Sequence, residues 1–174
     1  MLIAHIPTGY IVSKTLKKGG NRAYVLCGLL FSIWPDLDLV YYYVFDKAKT
    51  FHHTYFTHLP IVMVTAFLIT LPLFHMRFLE EMKAFHILFF LNWLMHLILD
   101  TYTGGVLWLY PFSSKLFCLI SGPEVYKSWV LSFITHWSFA VELAIAGLAV
   151  MLFIRQRDFL LTKRRCLERK KRNI

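Results

Sequence analysis

AFHILFFLNWLMHLILDTYTGGVLWLY, residues 84–110, decides the fold class. An apolar run of this length is enough for a helix to cross a bilayer, which takes about 20 residues. Three more such runs lie outside it, over residues 24–45, 59–79 and 129–154. The first of these is interrupted by Pro35-Asp36-Leu37-Asp38. Hydrophobic residues make up 57% of the 174-residue chain and charged residues 17%. A soluble domain holds roughly 45–50% and 25%, so the excess points to a bilayer. The expected fold is an all-α polytopic membrane bundle of about four spanning helices. Residues 1–154 form one membrane-embedded domain, and residues 155–174 a basic tail.

Charge placement orients the chain. With four spans and both termini on one side, that side carries 15 of the 19 Lys and Arg residues and the other side 4. The termini are therefore expected to face the cytoplasm. Trp108, Tyr110 and Trp129 fall near the outer ends, as an aromatic belt does. The net charge of +9 needs no nucleic acid partner, because the cations gather at the ends of apolar runs and no nucleic-acid-binding motif is present. Cys27, Cys118 and Cys166 are far apart and form no CxxC pair, so neither a disulfide framework nor a thiolate metal site is expected. Residues 1–13 lack the preceding basic residues of a cleavable signal, because Lys14, Lys17 and Lys18 follow them.

Several polar residues sit where hydrocarbon makes them costly. An ionised side chain at the centre of a spanning helix costs about 2.5–3.5 kcal/mol on insertion scales, so such groups face a cavity or a partner. Asp36 and Asp38 lie in the first run, His96 and Asp100 in the third, His136 and Glu142 in the fourth. His52, His53 and His58 crowd the loop before the second. His96 and Asp100, four apart, share a helix face. That pair reads equally as half of a divalent metal site or as a hydrogen bond between packed helices. Pro35 breaks its helix and suits the first turn of a new one, leaving Asp36 and Asp38 at an unwound point. Such backbone is tolerated at membrane depth only around protein or water.

At 1.5 Å per residue, Asp36 and His96 lie about 18 Å from the inner ends of their spans and Asp100 about 24 Å. His136 lies about 10 Å from the outer end of its own span. The groups thus converge on the outer half of a core about 30 Å thick. His5 joins them only if residues 1–13, too short to cross, enter as a re-entrant helix. Otherwise His5 lies on an interfacial helix.

These residues occur in a recognisable order. His5 with Gly9 is followed by Ser32-Ile33-Trp34-Pro35-Asp36-Leu37-Asp38, then by His53-Thr54-Tyr55-Phe56-Thr57-His58. His96-Leu97-Ile98-Leu99-Asp100 comes next, with Thr103, Gly105 and Pro111. The set resembles the YdjM-like family of membrane-bound metal-dependent hydrolases over residues 5–111. The resemblance implies a helical hydrolase of a bacterial-type inner membrane with a divalent metal centre. Zinc is the expected metal, as one to three ions, with manganese or iron as alternatives. The implied ligands are His5, Asp36, Asp38, His53, His58, His96 and Asp100. Asp36, Asp38 and His53 are the candidate catalytic residues, either aspartate being a candidate general base if it is not a ligand. The H-x3-D element is also similar to one in secreted zinc-dependent phospholipases C. Two positions depart from the family pattern: Thr54 stands where Arg is common, and Ala4 where Thr is usual.

Seven ligands exceed the three of a single catalytic zinc. A multinuclear site suits phosphoester hydrolysis. The expected substrate is a lipid or lipid-linked phosphoester. A metal-ion or proton transporter is the alternative, since buried His and Asp also mark ion pathways; it would more typically show two related halves. A third reading has the polar groups only pairing helices, with no metal bound.

Overall fold

The computed structural model describes residues 3–17, 21–47, 49–120 and 129–172. Lys18 and Lys127, counted above, fall outside these residues, as do the side chains of Trp129, of Cys166 and of the basic residues from Lys163 onward. The described chain is helical and contains no strand. A lone bridge between Val106 and Phe117 is its nearest approach to one.

Helix α1 (His5–Leu16) has 12 residues, too few to cross a bilayer. Helix α2 (Arg22–Ser32) starts at Asn21, whose side chain accepts the Tyr24 N–H at 2.8 Å. α1 and α2 meet at small residues, as membrane helices do. A Cβ on Gly9 would lie 2.6 Å from the Gly28 carbonyl, and one on Gly28 would lie 1.8 Å from Ser13 Oγ. Pro35 opens a 3-10 turn (Pro35–Leu37) that leads into α3 (Asp38–Val44). The two halves of this broken segment are bent by 57°. Two more 3-10 turns, His52–Thr54 and Phe56–His58, precede α4 (Pro60–Thr70).

Helix α5 (Lys83–Thr103) is the central strut. Its buried residues His86, Phe90, Trp93, Leu97 and Asp100 follow one helical stripe, and Leu88, Asn92, His96 and Leu99 a second. A helix buried on two stripes belongs inside a bundle. α5 packs on α1, α2 and α4. After α6 (Trp129–Thr135), α7 (Ser138–Arg172) runs 35 residues and packs on α1.

The expected span boundaries change at three places. The helix over residues 84–110 ends at Thr103, because Gly104 and Gly105 both donate to the Asp100 carbonyl, at 2.7 and 2.9 Å. Gly105 then turns the chain with φ +83, a conformation favouring glycine. Trp108 and Tyr110 therefore leave the helix. The segment over residues 59–79 is helical only to Thr70; Pro72, without an N–H, precedes further 3-10 turns. The segment over residues 129–154 is broken at His136 and Trp137.

Two described helical stretches, Leu79–Thr103 and Ser138–Arg157, are long and apolar enough to cross a membrane. Counting the bent α2–α3 pair as one span makes three. α4, with 11 residues, falls short. The expected four spans are thus reduced to two or three among the described residues. Many large apolar side chains point outward, among them Leu26, Leu30, Leu68, Ile69, Leu143 and Val150. Such a surface suits lipid and not water.

Candidate metal centre

Six elements converge on one buried cluster. α1 contributes His5, the 3-10 turn after α2 contributes Asp36, and α3 opens with Asp38. The two turns before α4 carry His53 and His58, and α5 carries His96 and Asp100. All but Asp36 are buried, and the Asp36 side chain is 27% exposed.

Three histidines share one arrangement. His53 Nδ1 lies 3.0 Å from the Gly105 carbonyl, and His96 Nδ1 lies 2.8 Å from the Ser32 carbonyl. His58 Nδ1 lies 2.7 Å from Asp38 Oδ2. Carbonyls accept and do not donate, so Nδ1 of His53 and His96 carries the hydrogen. A carboxylate oxygen facing His58 Nδ1 favours the same form there. In the neutral ring each Nε2 then presents a lone pair, and all three Nε2 atoms point at carboxylates.

His96 Nε2 lies 3.0 Å from Asp100 Oδ2 and 3.5 Å from Asp36 Oδ1. His58 Nε2 lies 3.5 Å from Asp100 Oδ2 and 3.7 Å from Asp36 Oδ1. His53 Nε2 is 3.9 Å from Asp100 Oδ2. The Nε2 atoms of His58 and His96 are buried and make no hydrogen bond. A lone pair facing a carboxylate oxygen is repulsive unless a proton or a cation lies between them. Burial is the largest influence on His53 and pushes it down to about 4, which keeps its ring neutral. The neutral ring is the form that ligates a metal.

The cluster fits a divalent ion. Zinc takes His nitrogen at about 2.0–2.1 Å and carboxylate oxygen at about 2.0–2.2 Å, so tetrahedral donors stand roughly 3.3 Å apart. Three sets have donor atoms within 4.8 Å of one another: His58, His96 and Asp100; His5, Asp36 and His96; and His52, His53 and His58. An imidazole held at Nδ1 by a carbonyl or carboxylate, with Nε2 toward the ion, is the usual outer-shell arrangement of a ligating histidine.

His5 completes the cluster from above. Its ring stacks on His96 at 3.8 Å, and its Nε2 lies 3.3 Å from Asp100 Oδ1. Asp38 stands behind His58 and not beside the donors. Its Oδ2 also accepts the Thr57 hydroxyl at 2.6 Å, and the Thr57 carbonyl accepts Trp93 Nε1–H at 2.7 Å. His52 stands at the half-buried edge, its ring 4.0 Å from that of His53. His136 Nδ1 meets Ser138 Oγ at 2.8 Å in the corner between α6 and α7. Glu142 accepts the backbone N–H groups of Ile3 and Ala4, at 2.6 and 3.1 Å.

The supporting residues carry weaker signals in the sequence. Gly104 must be small, since a Cβ there would lie 2.2 Å from His53 Cε1. Its only sequence signal is its place directly after the helix that carries His96 and Asp100. The Ser32 carbonyl and the Trp93 indole carry no signal of their own.

The whole of this cluster lies within a match to the family described as YdjM inner membrane protein, which spans residues 1–164. The chain belongs to that family. Comparison with curated proteins and with solved structures finds no match. Membership places the protein among inner membrane proteins, in keeping with its apolar helices. The YdjM-family cluster is a buried His/Asp site able to hold a metal ion.

Proposed function

We propose that this protein is a membrane-embedded, metal-dependent hydrolase that cleaves a phosphoester of a lipid or lipid-linked substrate. One observation carries the reading: His58 and His96 turn Nε2 toward both Asp36 and Asp100, and His53 turns Nε2 toward Asp100, while an acceptor faces each Nδ1. Packing of helices does not require three buried rings with one tautomer and a common focus.

A divalent ion, zinc first and manganese or iron as alternatives, would supply Lewis acidity toward a water molecule and a phosphoryl oxygen. His58, His96 and Asp100 would hold it, with His5, Asp36, His53 and His52 completing the wider set. Asp36 is the one cluster carboxylate open to solvent. Where it does not ligate the ion, Asp36 would accept a proton from an entering water. Asp38 keeps the His58 ring oriented through Nδ1. His53, neutral and fixed on the Gly105 carbonyl, would offer the Nε2 lone pair to the ion.

A lipid substrate is supported by the neighbouring cavity of about 350 Å³. Trp34, Leu37, Tyr41, Tyr55 and Phe56 line it, with Asp38 and Thr57 in its wall. It lies at the low end of the roughly 300–1,000 Å³ of small-molecule sites. Its apolar lining suits a hydrocarbon segment next to the residues that support His58. The charge count supports cytoplasmic termini, and α4 extended by its following turns would supply a fourth crossing.

The test is elemental analysis of purified protein, followed by phosphate release from detergent-solubilised lipid phosphates. Bound zinc, manganese or iron and activity abolished by chelation are expected. Activity that survives both His96→Ala and Asp100→Ala overturns the site. Metal flux into proteoliposomes without hydrolysis would instead favour a transporter.

A further inference from the structure

We infer that Glu142 of α7 is a positioning residue for the metal centre, acting on His5 by capping α1 across the bundle. The inference rests on the metal reading proposed above and assigns a role to a carboxylate which that reading leaves unused.

The first N–H groups of any helix lack partners within it. Inside a bilayer core such groups have no water to turn to. α1 begins after Ala4, whose side chain makes no cap hydrogen bond. Glu142 takes up the N–H groups of the cap residue and of the residue before it, from 138 and 139 residues away in sequence. Its Oε2 accepts Ile3 N–H at 2.6 Å and Ala4 N–H at 3.1 Å. It is 1% exposed. A carboxylate at this end also complements the positive end of the helix dipole. Ala4 and Leu99 are buried against Tyr102, Val141 and Ile145, so the start of α1 is wedged between α5 and α7.

The next residue is His5. Its ring stacks on His96 and its Nε2 faces Asp100. A cap released at Ala4 frees the backbone that carries this ring. α7 supplies none of the clustered donors among the described residues, yet through Glu142 it sets the place of one.

The experiment compares wild type, Glu142→Gln, Glu142→Leu, His5→Ala and the Glu142→Leu/His5→Ala double variant, in detergent. Two readouts are taken. Hydrogen exchange of metal-free protein over residues 3–9 reports the cap directly. Visible absorption of protein loaded with cobalt(II) reports the donors. Glu142→Leu should exchange faster over that segment, on the order of 10-fold. Its cobalt spectrum should shift in the same sense as that of His5→Ala, and the double variant should show no further shift. Glu142→Gln keeps an acceptor oxygen and should restore both readouts toward wild type. Unchanged exchange in Glu142→Leu overturns the inference, as does a spectral shift that adds in full to that of His5→Ala. If Glu142→Leu fails to fold, Glu142→Gln decides: wild-type exchange supports the cap, and wild-type cobalt absorption carries that support to His5. If wild type takes up no cobalt, the metal reading fails on its own and the exchange comparison decides the cap.

Discussion

Helices α5 and α7 are both apolar enough to cross a membrane, but 44% of the spanning window of α5 is buried inside the protein and only 17% of that of α7. Hydropathy alone treats them alike. α5 holds His96 and Asp100 and packs on three helices; over its spanning stretch Ser138–Arg157, α7 faces mostly outward and turns Ser138 and Glu142 inward. Polar groups are therefore placed by which helix has protein on both sides, because only there can their hydrogen bonds be met. α7 shows the exception: its buried Glu142 is matched to the backbone N–H groups of Ile3 and Ala4.

The largest effect should come from the centre of α5. Asp100→Ala removes a carboxylate that faces His5, His53, His58 and His96. Metal content should fall to background and activity by more than the roughly 10–100-fold of outer-shell changes. Retained metal in a folded Asp100→Ala protein would break the assignment of α5 as carrier of the site.

Packing comes next. Leu97 is fully buried on α5. Leu97→Ala should cost about 2 kcal/mol or more, read as a lowered midpoint in thermal unfolding in detergent. A small shift would mean that α5 is less central than its burial indicates.

Asp38→Ala sharpens the difference between a ligand and its support. It takes the acceptor from His58 Nδ1 and from the Thr57 hydroxyl. Metal affinity should drop about 10–100-fold, with binding still measurable by titration. Complete loss would make Asp38 a ligand.

Val150 on α7 is 56% exposed. Val150→Ala should change stability by no more than about 0.5 kcal/mol in the same unfolding assay. A larger loss would reveal a partner on the outer face of α7.

Much of the candidate site could be read from residue order. His96 and Asp100 share a helix face by spacing, and Pro35 marks the break that leaves Asp36 and Asp38 unwound. The span count was less legible. Run length does not show that Gly105 turns the chain after Thr103, that Pro72 follows the end of α4, or that His136 opens a corner. His136 and Glu142 looked alike as polar residues in one apolar run. The first meets Ser138 two residues away, and the second reaches the start of the chain.

By itself the sequence determined the helical membrane class and the list of chemical groups, because run length and the cost of a charge in hydrocarbon are local properties. The tertiary structure alone decided what each group faces. His58 is oriented by a carboxylate 20 residues away, and His96 by a carbonyl 64 residues away. Such long-range contacts choose the tautomer and the direction of each lone pair, and no local pattern encodes them.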